Sequence, residues 1–520
     1  MRHPHPNLNF RSLFLIVCLI GIAQSPLRAG VAMRGDFNGD GYADLAIGVP
    51  GEDIGLKANA GGVNVIYGSA GGLSSTDAQF WDSMSVVGSA AAGDAFGSAL
   101  ANGDFNNDGY ADLAIGVPLR NTSGQANSGA VVVMYGSATG LAAIGYQLIS
   151  QDSPGIVNAP GADDRFGAAL IAGDFNGDTF EDLAVGVPGE TVKGQAAAGA
   201  VCVILGSGTG LVSTGNKLWS QDSPSIADVA EIGDAFGLVL AAADFDNDTY
   251  VDLAIGAPLE DINSASDAGM VHVLYGSASG LTAAASQRFR QNSGGVLGTA
   301  DKGDNFGAAL AAGDFNGDGL AELAIGVPRE SFSGKAKAGL IHVIDGTPAG
   351  LNPVGSSVWM QNAGFGDGVQ ANDLFGAALA AGDTNNDGHD DLLIGVPGEG
   401  LTNAPKAGAV HCVFGSAGGL TTTNNQFWHA FTFGFAVAQP GSLMGTSLTV
   451  GDFDGDSTID GAFGCPGRII NAKVGAGDVY VMYGSVLGFS STDIQTWDQD
   501  KPNIPDSAET GDQVGASLGR

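Results

Sequence analysis

Nine residues, Asp-Phe-Asn-Gly-Asp-Gly-Tyr-Ala-Asp, run from Asp36 to Asp44. Side-chain oxygens fall at positions 1, 3, 5 and 9, on Asp36, Asn38, Asp40 and Asp44. Position 7 is Tyr42, which would contribute a backbone carbonyl. Hard oxygen donors at alternate positions wrap around one ion where the chain turns sharply, and Gly41 at position 6 permits that turn. An all-oxygen set on a flexible loop suits Ca²⁺ better than Mg²⁺, which demands a strict octahedron. Zinc would require His or Cys at fixed positions, and the pattern has none. An EF-hand is excluded as well: Ile47 stands at position 12, where that loop needs a bidentate acid, and the flanking segments read as strands.

The stretch occurs seven times. The second copy places Asp104, Asn106, Asp108, Tyr110 and Asp112 at the five donor positions. The third places Asp174, Asn176, Asp178, Phe180 and Asp182 there, and the fourth Asp244, Asp246, Asp248, Tyr250 and Asp252. The fifth has Asp314, Asn316, Asp318, Leu320 and Glu322, and the sixth Asp383, Asn385, Asp387, His389 and Asp391. The seventh has Asp452, Asp454, Asp456, Thr458 and Asp460. Variety at position 7 fits a backbone donor whose side chain is free. Up to seven Ca²⁺ sites are therefore expected. They are not equal: Thr179, Thr249 and Ser457 replace glycine at position 6 and should strain the turn. The first, second and sixth loops are expected to bind well, and the third to be among the weakest.

The elements that must hold these loops repeat with them. The copies begin 68 to 70 residues apart, a period that means one supersecondary unit reused. Each unit opens with a segment such as "GDAFGSALANGD" (Gly93 to Asp104), then the acidic loop, then a short apolar run ending in Gly-x-Pro. A variable loop, a Val/Ile-rich run ending in Gly-Ser, a turn and a last polar–apolar segment complete it. Four short segments punctuated by Gly, Pro, Asn and Asp predict a four-stranded antiparallel meander, and helical periodicity is absent. Isolated four-stranded sheets cannot bury both faces, whereas seven arranged radially can. The expectation is an all-β, seven-bladed β-propeller of four-stranded antiparallel blades with Ca²⁺-binding loops. The first unit lacks its opening strand, and residues 511–519 read as that strand, closing the first blade.

With 20 Lys and Arg and a formal net charge of −35, the chain should repel nucleic acid and anionic membrane and attract cations. Residues 1–29 read as an export signal, with the apolar core "SLFLIVCLIGIA" (Ser12 to Ala23) too short to span a bilayer. The propeller would occupy 30–520 with no membrane span, secreted or extracellular, and periplasmic or surface-associated if bacterial. Cys202, Cys412 and Cys465 are odd in number and scattered, so they read as small buried residues.

The repeat resembles that of FG-GAP proteins, best known as the N-terminal propellers of integrin α subunits. The FG pair is present as Phe96–Gly97, Phe166–Gly167, Phe236–Gly237, Phe306–Gly307 and Phe375–Gly376. It degrades to Met444–Gly445 and Val514–Gly515. The GAP element is Gly256–Ala257–Pro258. The resemblance implies acidic loops joining the first and second strands of each blade on one face. It implies ligand contacts on the other face, by extracellular protein or glycan, and a stand-alone propeller rather than a receptor subunit. Catalytic motifs are missing, with neither a Gly-x-Ser-x-Gly elbow nor a His-Glu-x-x-His helix. A Ca²⁺-dependent hydrolase or lyase acting on polysaccharide or phosphoester is the alternative. Arg34–Gly35–Asp36 reads as a coincidence, because Asp36 opens a metal loop. His272, His342 and His411 share one column of the repeat and read as buried strand residues. The tryptophans Trp81, Trp219, Trp359, Trp428 and Trp497 read as packing.

Overall fold

The computed structural model describes residues 20–22, 35–362 and 364–519. The expected leader over 1–29 lies outside these residues except for 20–22, and so does Arg34.

The chain forms seven antiparallel four-stranded sheets, the blades of a β-propeller. The third blade shows why. Its strands are Ala169–Gly173, Asp182–Val187, Ala200–Leu205 and Val212–Trp219. The second strand, Asp-Leu-Ala-Val-Gly-Val, is buried along its whole length rather than on alternate residues. Successive side chains of a strand point to opposite faces, so both faces must be covered. Leu183, Val185 and Val187 join a core with Val131 and Val133 of the second blade. Ala184 and Val201 join another with Leu253 and Ile255 of the fourth. Only the outer strand is half exposed. The first strands of neighbouring blades face one another around the axis. A short strand, Ile20–Ile22, runs parallel to Leu240–Ala242 on the fourth blade's inner edge.

Blades meet closely through glycine. A Cβ on Gly186 would lie 2.1 Å from the carbonyl oxygen of Gly237, in the next blade's Phe-Gly pair. Phe236 is fully buried, and its N–H donates to the Ala198 carbonyl at 2.9 Å. The Phe-Gly and Gly-x-Pro elements are thus the two halves of one inter-blade joint. The ring closes by the same means. Ser517–Gly519 pairs with Ala46–Gly48 as the first blade's innermost strand. The Ser517 hydroxyl donates to the Gly97 carbonyl of the second blade at 2.6 Å.

One element departs from the purely β expectation. Ser83–Val86 forms a single helical turn, because Asp82 Oδ1 accepts from the N–H groups of Met84 and Ser85. The three histidines stand in the third strands of separate blades. All are buried, and burial pushes His342 down to about 4 and His411 to about 3, so both are neutral at physiological pH. Cys202, Cys412 and Cys465 are buried free thiols. Trp428 and Trp497 are buried and the other three tryptophans half-buried.

Gly186→Ala should lower stability by about 1–3 kcal/mol, the range for overpacking a tight interior. Urea unfolding of the purified protein checks this. A Gly368→Ala control changes an exposed, open position that, like Gly186, is not in the left-handed region, and it isolates the loss of glycine's flexibility from the steric clash.

Candidate metal centres

Each acidic loop is organised by its own carboxylates. In the first, Asp36 Oδ1 accepts from the N–H groups of Gly39 at 2.6 Å and Asp40 at 3.1 Å. Asp36 Oδ2 accepts from Gly41 N–H at 2.8 Å. Asn38 Oδ1 takes Asp40 N–H at 2.9 Å, and Asp40 Oδ1 takes Tyr42 N–H at 3.1 Å. Asp36 is therefore bound into a loop and is not a free adhesive carboxylate. Asp44, fully buried, accepts from Phe37 N–H at 2.8 Å and from Gly68 N–H, past the third strand, at 2.9 Å. The position-9 acid ties its loop to the exit of its own blade's third strand, at the same end of the sheet. The second loop repeats this with Asp112, which accepts from Phe105 and Gly136, both at 2.9 Å. In the fifth, the longer Glu322 takes Phe315 N–H and Asn316 Nδ2, both at 2.7 Å.

The turn at position 6 is left-handed throughout. Gly41 has φ +92°, and Thr179, Thr249 and Ser457 are held at +79°, +81° and +72°. Non-glycine residues there cost about 1–3 kcal/mol each, so the surrounding bonds must over-determine the conformation. Thr179 adds one such bond, its Oγ1 accepting from Asn107 of the preceding loop at 3.0 Å.

Two features of these loops were not anticipated from sequence. The first is position 2. It is Phe in six copies, and Phe37, Phe105, Phe175, Phe245, Phe315 and Phe453 are all buried to 1% exposure or less. Each contributes about 1.5–3 kcal/mol by burial, anchoring the loop in the core between its first two polar donors. The sixth copy has Thr384, whose hydroxyl donates to Asp391 at 2.5 Å. The signal was present in the repeat, as a hydrophobe recurring inside an acidic stretch. The second is position 7, whose side chain is not free. The Tyr110 ring covers Gly39 of the preceding loop, where a Cβ would come within 2.6 Å of it. Ala111 N–H also donates to the Asp36 carbonyl at 2.9 Å, and Ala43 N–H to the Asp452 carbonyl at 2.9 Å. Neighbouring loops are thereby linked.

The donor sets fit a cation. Asp246 Oδ1 and Asn385 Oδ1, both at position 3, are buried without a hydrogen-bond partner. Ligand atoms of Asp244, Asp246 and Asp248 lie within 4.8 Å of one another, as do those of Asp314, Asp318 and Glu322, and of Asp452, Asp454 and Asp460. Loss of hydration pushes Asp44, Asp112, Asp182 and Asp252 up to about 8 and Asp460 to about 9. Backbone N–H bonds oppose that shift, and the neighbouring loop acids add to it.

The other face is built from the loops between the second and third strands. Their sequences differ, but each forms the same tight hairpin, closed by Ile54–Lys57, Thr122–Gln125, Val192–Gln195 and their counterparts. What varies is the tip: Leu56 is fully exposed on the first and Lys193 stands on the third.

Comparison with known proteins places this architecture. The family described as FG-GAP repeat matches residues 31–66, 96–134, 166–204, 236–274, 306–344 and 375–411. Phosphatidylinositol-glycan-specific phospholipase D of Bos taurus is 34% identical over 162 residues, covering 31% of this chain and 18% of that protein. Integrin alpha-PS2 of Drosophila melanogaster is 28% identical over 239 residues, covering 45% of this chain and 15% of that protein. The matched region is thus less than a fifth of either relative's length. A rhamnogalacturonan lyase of Bacillus licheniformis aligns over 93% of this chain and 76% of its own at 11% identity, with a TM-score of 0.35, and adds nothing to the reading.

The position-9 acids give a pH test. Their folded values near 8 exceed the ordinary value of 3.8. Without metal, the folded state therefore holds protons that the unfolded chain has released. That contribution is complete below about pH 4 and is lost as pH rises through about 8. In chelator, the urea midpoint should fall across this window. Saturating Ca²⁺ should flatten the slope, because the ion replaces the protons.

Proposed function

The chain is an FG-GAP repeat protein, and from that premise we propose that it is an exported, Ca²⁺-binding propeller that recognises extracellular protein or glycan without catalysis. The metal would be held by the position 1, 3, 5 and 9 side chains of each loop, from Asp36, Asn38, Asp40 and Asp44 onward. When bound it would neutralise crowded carboxylates and couple ion binding to folding. The observation that carries the reading is the division of labour between faces. One face repeats a near-constant acidic loop, and the other repeats a constant hairpin backbone with a different tip on each blade. Constant backbone with variable tips is how a rigid scaffold presents a recognition surface. Export accords with the extracellular setting of integrins, and no helix among the described residues is long and apolar enough to cross a membrane.

A second reading rests on the identity shared with the phospholipase D. Under it, the propeller belongs to a Ca²⁺-dependent hydrolase or lyase acting on a phosphoester or polysaccharide.

The test is a thermal melt in millimolar Ca²⁺ and in chelator, together with binding to glycan and extracellular-protein arrays. The recognition reading expects a chelator-induced fall in melting temperature, with binding lost alongside it. It also expects Leu56→Asp combined with Lys193→Glu to weaken binding at least tenfold at unchanged melting temperature. Binding indifferent to both chelator and tips overturns it. Turnover of a phosphatidylinositol-glycan or a polysaccharide by the Ca²⁺-loaded protein establishes the second reading instead.

A further inference from the structure

On the face opposite the acidic loops, the blade junctions carry a second recurring set of oxygen donors. Between the fourth and fifth blades, Gln291 lies just past the outer strand, and its Nε2 donates to Glu330 Oε2 at 2.8 Å. Glu330 follows the Gly-x-Pro of the next blade, and Asp304 belongs to that blade's Gly-Asp-x-Phe-Gly opening. Ligand atoms of Asp301, Asp304 and Glu330 all lie within 4.8 Å of one another. The same Gln–Glu pair recurs at four more junctions, at 2.5–3.2 Å, among them Gln151–Glu190 and Gln499–Glu52.

Hydrogen bonding leaves these sets incomplete. In all five the glutamine is 0–4% exposed, and its Oε1 is buried with no partner. A buried amide oxygen left unpaired costs about 1–3 kcal/mol, and here the defect is repeated with the blade. Two carboxylates also converge beside it, and burial pushes Glu260 and Glu399 up to about 9. An acceptor-only amide oxygen among carboxylates lacks a positive partner.

The remaining two junctions show what such a partner looks like. There the glutamic acid is replaced by Arg120 and Arg468, and the glutamine by Ser83 and Ala430. Arg120 Nη1 stands 3.7 Å from Asp94 Oδ2, and Asp94 is the counterpart of Asp304. Arg468 Nε lies 2.9 Å from Asp478 Oδ2. Where the amide–carboxylate pair is lost, the chain provides a guanidinium of its own.

We propose that the five Gln–Glu–Asp junctions are a second ring of cation sites, distinct from the acidic loops. Each takes a divalent, oxygen-preferring ion such as Ca²⁺ through Gln Oε1 and the Glu and Asp carboxylates. The donor set contains no nitrogen or sulfur ligand, which disfavours zinc and copper. Two carboxylates match a divalent charge. The site would pin each outer strand to the following blade, as the loops pin neighbours on the opposite face.

The test uses the full chain and Ca²⁺ itself. Equilibrium dialysis at pH 8 measures bound Ca²⁺ per chain for the native protein and for the double variant Gln291→Ala, Glu330→Arg. That variant copies the Ala430–Arg468 arrangement already present, and it should lose one ion. Equal stoichiometry overturns the proposal, since the junction is then filled by shared protons. Should the double variant fail to fold, Glu330→Gln keeps the shape and should also lose one ion. Anomalous diffraction from native crystals soaked in terbium decides independently of any variant. Peaks at the five Gln–Glu junctions and none at the two arginine junctions support the proposal. Peaks confined to the acidic loops overturn it while leaving the loop reading intact.

Discussion

No blade of this propeller has a face to show to water. The second and third strands are buried on both sides, so each sheet depends on a neighbour to its left and another to its right. That requirement has one economical solution, a closed ring, and most other features follow from it. Glycine at the Gly-x-Pro step lets the next blade's backbone come close enough to exclude water. Phenylalanine at the Phe-Gly step fills the joint. A four-stranded sheet that would be marginal alone becomes part of a continuous core.

Closure concentrates charge. Turns that join the first and second strands crowd together near the axis, and here they carry 25 of the 55 acidic residues. The position-9 carboxylates are taken out of water and held by backbone donors. Net repulsion of this kind opposes compactness, and the backbone N–H donors that hold these carboxylates offset part of it. The two arginines at blade junctions make the same point on the other face. Buried carboxylates persist only where something positive, or a proton, stands beside them.

The period, the strand count and the donor spacing were legible because each copy carries its own information. Asp36 through Asp44 space side-chain oxygens along one tight turn without reference to anything else, and "DLAVGV" announces a strand buried on both faces. Relations between copies were harder to read. The Tyr110 ring resting on Gly39 sets a side chain of one blade on the backbone of another, and no local pattern encodes it. Gln151 meets Glu190 across 39 residues, so the second donor set was invisible until the blades were placed side by side. The hairpins between the second and third strands hid for the opposite reason: their sequences vary while hydrogen bonds such as Ile54–Lys57 hold the backbone constant. Asp82 went unnoticed because a capped single turn is too short to leave a periodic trace.

The latch at Ser517 also has a temporal meaning. Its hydroxyl meets the Gly97 carbonyl across 420 residues of sequence, and the strand that carries it is the innermost of the first blade. During synthesis that blade stays one strand short until residues 517–519 have emerged. Blades two to seven can assemble in order, each on its predecessor, but the ring closes only when residues 517–519 pair with the first blade. Contacts of such long range make for slow folding. A chain of this design therefore spends its early life as an open, curved stack with one unpaired sheet edge, and it gains its resistance to unfolding in a single late step.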